Sequence, residues 1–239
     1  MLANLLLLDI ETVPEFSSFS HLDENWQQLW LQKIAKTVPE TVSGEESYAQ
    51  KAGVMAEFAK IICISTAFFY QENNVWKLKI KSIYGHNEAE ILTEFVALCN
   101  RVNNIHKDFQ FAGHNIKEFD IPFICRRLLI NNLSLPDYLQ LSDKKPWETK
   151  MVDTLSWWKF GDFKHYTSLH LLANVLGIPT SKTDIDGSKV QQVYYQEKDL
   201  PKIVAYCERD VVVTANIILK FKQLPLLSAK DVFIATKAN

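Results

Sequence analysis

The first twelve residues constrain this chain most. Leu5-Leu6-Leu7-Leu8 runs directly into Asp9-Ile10-Glu11-Thr12. An unbroken apolar run reads as a strand covered by protein on both faces. Alternate side chains of a strand share a face, so Asp9 and Glu11 point the same way while Ile10 is directed into the core. Two carboxylates ~4 Å apart repel by about 4 kcal/mol at an effective dielectric near ~20. A raised pKa, a nearby Arg or Lys, or a bound cation would offset that repulsion. The bland alternative is that the strand ends at the acids and both are solvated.

A chain of 239 residues can bury a sizeable core and reads as a single domain, 1–239. Its 47% hydrophobic and 23% charged residues are ordinary for a soluble globular protein. It has no apolar run near ~18 residues and hence no expected membrane span. The absence of a basic segment ahead of the first apolar run argues against a signal peptide. Cys63, Cys99, Cys125 and Cys207 are scattered through apolar patterns without metal-finger spacing, so reduced core thiols in a cytoplasmic protein are expected. A net charge of −2 gives no general basic field for nucleic acid. A polyanionic substrate would need local positive charge, metal ions included. Repeats, a phosphate-cradling glycine loop and a dinucleotide fingerprint are all missing.

After Glu11, Val13-Pro14 is expected to break the strand. His21 to Lys36 follows a helical pattern through Trp26, Leu29, Trp30 and Ile34, and Ser47 to Phe58 suggests another helix. Residues of about 15–58 therefore read as a mainly helical insertion. Lys60 to Tyr70 and Val75 to Tyr84 read as an antiparallel hairpin around Gln71-Glu72-Asn73-Asn74. A helix from Glu88, a short strand ending at Gly113-His114-Asn115, and a helix from Asp120 come next. Asp120, two residues before Pro122, reads as an N-cap when taken alone, and Asp153 as the cap of the following helix. Thr167 or Ser168 should cap a helix closed by Gly177, and His170 upon it reads as surface or packing. Asp184 to Lys189 is turn-rich but lacks the calcium-loop pattern, so an Asx turn is expected. Finally, Asp199 caps a helix from Leu200 to about Phe221. On it Tyr206 and Asp210 are stacked one turn apart, with Arg209 as a pairing option for Asp210. Strands interleaved with helices, one hairpin among them, give an α/β architecture with a mixed sheet.

Asp9-Ile10-Glu11-Thr12, Asn115 to Asp120 (N-x-x-x-F-D) and Tyr206 to Asp210 (Y-x-x-x-D) together resemble the three motifs of the DEDDy 3′→5′ exonucleases. Within that group the chain is most similar to stand-alone predicted exonucleases resembling the proofreading domain of family B DNA polymerases. The resemblance extends through Lys60 to Ser65, Leu169 to Pro179 and Asp184 to Val190, and it implies a ribonuclease H-like fold whose mixed central sheet has one antiparallel strand, flanked by helices. It implies that Asp9, Glu11, Asp120 and Asp210 hold two ions of Mg²⁺ or Mn²⁺, with Tyr206 orienting the attacking water. Ile10, Thr12, Asn115 and Phe119 match positions at the terminal nucleotides, and Lys182 or Lys189 could meet phosphates. The implied activity is removal of nucleoside 5′-monophosphates from single-stranded 3′ ends, of DNA in preference to RNA, with any polymerase or repair partner acting in trans. A catalytically silent nucleic-acid-binding module, or a hydrolase of short oligonucleotides, is the competing expectation.

Overall fold

Alternation governs the first strand. In the computed structural model, which describes residues 2–39, 41–145, 148–162, 164–180 and 185–236, β1 (Leu5–Pro14) turns Leu6, Leu8 and Ile10 to one face of the sheet and Leu5 and Leu7 to the other. β2 (Ala59–Glu72) and β3 (Val75–Tyr84) form the expected hairpin. Its turn is made by Asn73 and Asn74 at φ 51° and 61°, where Asn tolerates the left-handed region. β4 (Gln110–Gly113) and β5 (Met151–Asp153) extend the sheet beyond β1, and β6 (Val232–Ile234) extends it beyond β3. The order is β5-β4-β1-β2-β3-β6, and β2 alone runs against the rest. This is the mixed sheet with one antiparallel strand that the motifs imply.

Helices cover both faces. α1 (Glu24–Ile34) and α2 (Gly44–Lys51) precede β2, and α3 (Glu88–Ile105) and α4 (Asp120–Ile130) flank β4 in sequence. α5 (Thr154–Lys159), α6 (Leu169–Val175) and α7 (Val190–Gln192), which runs into a π-helical turn over Val193–Glu197, lead to α8 (Leu200–Phe221). From α3 and α4, Leu92, Phe95, Ile121 and Ile124 pack with Leu6, Leu8 and Ile10. On the opposite face α8 lays Val211, Ala215 and Ile218 over Leu5, Leu7 and Ile80. Full burial of each such side chain stabilises by about 1.5–3 kcal/mol. Ser168 and Asp199 cap α6 and α8 as expected, accepting from Leu171 and Lys202 N–H. None of the described helices is long and apolar enough to cross a membrane.

Three details depart from the sequence reading. β1 does not stop at its acids. It continues through a bulge between Glu11 and Thr12 to Pro14, which sits opposite Ala59 at the strand's end, where its missing N–H is tolerated. The second helix of the insertion is shorter than expected and gives way to a 3₁₀ turn, Ala52–Val54. Residues 222–236, read only as a tail, add β6, whose three residues are too few to show an alternation. Of the first insertion helix, Trp30 and Ile34 are buried with Tyr48 and Phe58 in a separate small core, whereas Leu29 lies outside it and is exposed.

Arg127 on α4 fastens this assembly. Its Nε donates to both Glu88 carboxylate oxygens (2.9 and 3.0 Å), and its Nη2 donates to Glu88 Oε2 (2.5 Å). Its Nη1 donates to Ala56 O at 2.9 Å, and Glu88 in turn accepts the Ile61 N–H at 2.7 Å. Both side chains are buried. Removing the guanidinium would strand a buried carboxylate, a change that costs ~3–5 kcal/mol. Arg127→Met is therefore expected to lower the unfolding free energy by about that amount in urea titrations. A loss below ~1 kcal/mol, the range of a surface pair, would contradict the clamp.

Candidate active site

Parallel strands direct their carboxyl ends to one edge of a sheet, and the loops leaving them converge there. Leu7 pairs with Ala112 and Gly113 with Asp153, so β4 and β5 finish side by side next to β1, which runs on past them through Asp9 and Glu11. Gly113 is required at this corner, because a Cβ would stand 2.8 Å from Ile116 and 3.1 Å from Leu8 O. The chain then turns through Asn115 at φ 62° toward α4. Asp153 fixes that turn while capping α5. Its carboxylate accepts the N–H groups of Asn115 (3.1 Å), Lys117 (3.1 Å), Leu155 (2.9 Å) and Ser156 (3.1 Å). His114 is held by Thr154 Oγ1 and Thr167 O, each at 2.9 Å. A carbonyl only accepts, so Nε2 carries the proton and Nδ1 takes the Thr154 hydroxyl. Burial lowers the ring's pKa, which keeps it neutral.

Asp120 is not the cap that its place before Pro122 suggests. Phe119 holds the N-cap position without a side-chain bond, while Asp120 is the first helical residue. Its buried Oδ1 accepts the main-chain N–H of Ile10 at 3.1 Å. An acid from the second motif is thereby fastened to the backbone between the two acids of the first. From α8, Tyr206, Arg209, Asp210 and Val213 present one helical stripe to the same cavity of about 950 Å³. Asp9, Glu11, Asp120, Asn115 and Phe119 also line it.

The electrostatics follow from enclosure. Burial first, then the neighbouring carboxylates of Asp120 and Asp210, raise Asp9 well above the ordinary range. Burial followed by Asp9 and Asp210 does the same to Glu11. Burial lifts Asp120 to about 7, against the lowering effect of its backbone N–H bonds. Asp210 is lifted to about 6 by burial, with Tyr206, Arg209 and His170 pulling the other way. The Tyr206 phenol, one turn before Asp210, is pushed up by burial and by the surrounding acids. It therefore stays protonated at neutral pH. Cys207, expected as a plain core thiol, is buried but reaches Asp9 Oδ2 at 3.2 Å. Ligand atoms of Asp9, Glu11 and Cys207 all lie within 4.8 Å of one another. The four motif carboxylates among the five that line the cavity are a hard oxygen donor set suited to Mg²⁺ or Mn²⁺, and such an ion would relieve both the repulsion and the burial penalty.

The remaining sequence candidates divide. Ile10 contributes its N–H, but its side chain is in the core. Thr12 does not line the cavity; its hydroxyl donates to Gly53 O at 2.6 Å and ties the insertion to β1. Asp186 forms the expected Asx turn with Ser188 N–H at 3.0 Å, and Lys189 pairs with it at 3.9 Å. Lys182 and Asp184 lie outside the described residues. His170, read as surface or packing, faces the cavity, as do Val54, Tyr166 and Arg209. The signal for Arg209 was available, since it lies three residues after Tyr206 on the stripe of Asp210. Val54, Tyr166 and His170 carried none.

A family model described as "Predicted 3'-5' exonuclease related to the exonuclease domain of PolB" matches residues 54–229. The matched stretch contains Asp120, Tyr206 and Asp210 but starts after β1, so Asp9 and Glu11 join the site through geometry. No curated protein gives a significant match. Among solved structures the chain is similar to the family B DNA polymerase from the hyperthermophilic archaeon Pyrobaculum calidifontis, with a TM-score of 0.50 and 12% identity. That alignment covers 92% of this chain but only 24% of the polymerase. A looser likeness (TM-score 0.39, 14% identity, covering 97% and 84% of the two chains) is to a chain in the structure of the yeast NOT1 MIF4G domain co-crystallized with CAF1.

Raised carboxyl pKa values fix the sign of a pH effect. Asp120 and Asp210 hold more protons folded than unfolded between about pH 4, the unfolded value, and the folded values of about 7 and about 6. Their contribution is full below that window and is lost as pH rises through it. In the presence of a chelator, the thermal midpoint should fall between pH 5 and pH 8 by several degrees, and Asp120→Asn should flatten the fall. Mn²⁺ should restore the midpoint more at the higher pH. A midpoint indifferent to both pH and Mn²⁺ would contradict the acidic cluster.

Proposed function

The chain belongs to the family of predicted 3′-5′ exonucleases related to the exonuclease domain of PolB, and from that premise we propose that it is a metal-dependent enzyme shortening single-stranded nucleic acid from its 3′ end. One observation carries the reading. Asp9, Glu11, Asp120 and Asp210 come from three separate elements and line, with Tyr206, one open cavity beside the carboxyl ends of β4 and β5. An acidic surface without such a task would leave these groups solvated rather than buried together.

The chemistry is displacement at phosphorus. A water oxygen bonds to the terminal phosphodiester, the bond to the 3′ oxygen of the preceding nucleotide breaks, and a nucleoside 5′-monophosphate departs. Mg²⁺ or Mn²⁺, as two ions held by Asp9, Glu11, Asp120 and Asp210, would supply charge neutralisation and an acidified water when bound. Tyr206 keeps its proton, which the Asp210 carboxylate accepts, so the phenolic oxygen orients the water and does not serve as a base. The Ile10 N–H holds the Asp120 carboxylate in one orientation, which limits reorganisation during reaction. Phe119 offers an aromatic face to a base, and Asn115 an amide to sugar or phosphate. Likeness to a DNA polymerase makes DNA the first substrate to try, with a polymerase or repair protein as a partner in trans. Four unpaired thiols suit a reducing, cytoplasmic setting.

Digestion of a 5′-labelled single strand should give a ladder with Mg²⁺ or Mn²⁺ and none with excess chelator. Asp210→Asn and Asp9→Ala should each lower the rate by at least ~10³-fold while leaving the circular dichroism spectrum unchanged. Comparable rates on dinucleotides alone, without laddering of longer strands, would point instead to hydrolysis of short oligonucleotides. Wild-type rates in either variant would sink the assignment.

A further inference from the structure

We propose that Arg209 grips a backbone phosphate of the bound strand, next to the carboxylates. This rests on the exonuclease reading and goes beyond it, because none of the motifs assigns the residue. Arg209 is on the cavity-lining stripe of α8, between Tyr206 and Asp210. Its Nε is buried without a hydrogen-bond partner among the described residues. Among the described residues the other buried side-chain polar atom in that state is Asn115 Oδ1, which belongs to a residue lining the same cavity. One orphaned donor and one orphaned acceptor at a single cavity point to a polar ligand there, since buried polar groups are otherwise paired.

Charge identifies the ligand's class. The neighbouring Asp210 forms no ion pair within 4 Å with Arg209, although Arg209 lies close enough to lower that acid's pKa. The four motif carboxylates and two divalent cations would cancel, and Asp186, the fifth acid lining the cavity, is paired with Lys189, which leaves the guanidinium unopposed among the described residues. A singly charged phosphodiester restores neutrality. The planar fork of Arg fits two phosphate oxygens at once, which an ammonium cannot do. A plain counter-ion to Asp210 would instead be expected to pair with it.

The test measures binding of a fluorescent single-stranded oligonucleotide by anisotropy in Ca²⁺, at several salt concentrations. Relative to wild type, Arg209→Met should bind about tenfold more weakly, and its slope of log Kd against log salt should be shallower by about 0.7, the value for one phosphate contact on a single strand. Arg209→Lys should keep the slope. Methylphosphonate placed singly at each of the 3′-terminal linkages should weaken wild type at one linkage, and at that linkage Arg209→Met should lose nothing further. An unchanged slope, or methylphosphonate losses equal in wild type and Arg209→Met at every linkage, would overturn the assignment even though wild type cleaves. Wild type that neither binds nor cleaves the strand would overturn the exonuclease reading itself.

Discussion

Four carboxylates gathered where β1 passes the ends of β4 and β5 are the constraint to which the rest of the structure answers. Burial raises all four acids, and repulsion from neighbouring carboxylates of the group adds to it at Asp9 and Glu11. A fold that merely tolerated them would spread them into water. This one gathers them with main-chain hydrogen bonds, a capped turn and a long helix that is apolar on its other face. Rigid elements therefore hold a region of unfavourable charge, an arrangement found more often at functional sites than elsewhere.

The supports are layered. Asp153 satisfies four N–H groups and so fixes the turn that leads to Asp120. Glu88 and Arg127 bind α3 to α4 behind that turn. On the far side of α8 from the cavity, Glu208 accepts from Ser82 at 2.8 Å and from Thr236 at 2.5 Å, which joins α8 to β3 and to the segment after β6. The insertion is tied at its two ends, by Thr12 to Gly53 O and by the Tyr195 hydroxyl to Pro14 O at 2.6 Å. This places Val54 on the cavity wall.

Much of the fold was legible because its signals are local. The hairpin, the N-caps Ser168 and Asp199 and the span of α8 follow from alternation, turn residues and helical spacing. Errors arose where a local preference met a tertiary demand. Pro14 ends β1 rather than breaking it earlier, because the bulge and the pairing with β2 carry the strand onward. Asp120 has the sequence surroundings of a cap, yet its carboxylate is taken by Ile10 from a strand 110 residues away in sequence. His170 and Tyr166 belong to segments with no motif, and only the folding of those segments over the cavity reveals them.

Residue types, order and spacing by themselves determined the α/β class, the antiparallel hairpin and which acids were candidates, since periodicity and side-chain chemistry are written along the chain. Only the tertiary structure decided that Asp9, Glu11, Asp120 and Asp210 share one cavity, that Thr12 holds the insertion and that Arg209 stands without an acidic partner among the described residues. Those are relations across the sheet. Strand order and helix packing set them through burial summed over the whole core, which no single stretch of sequence records.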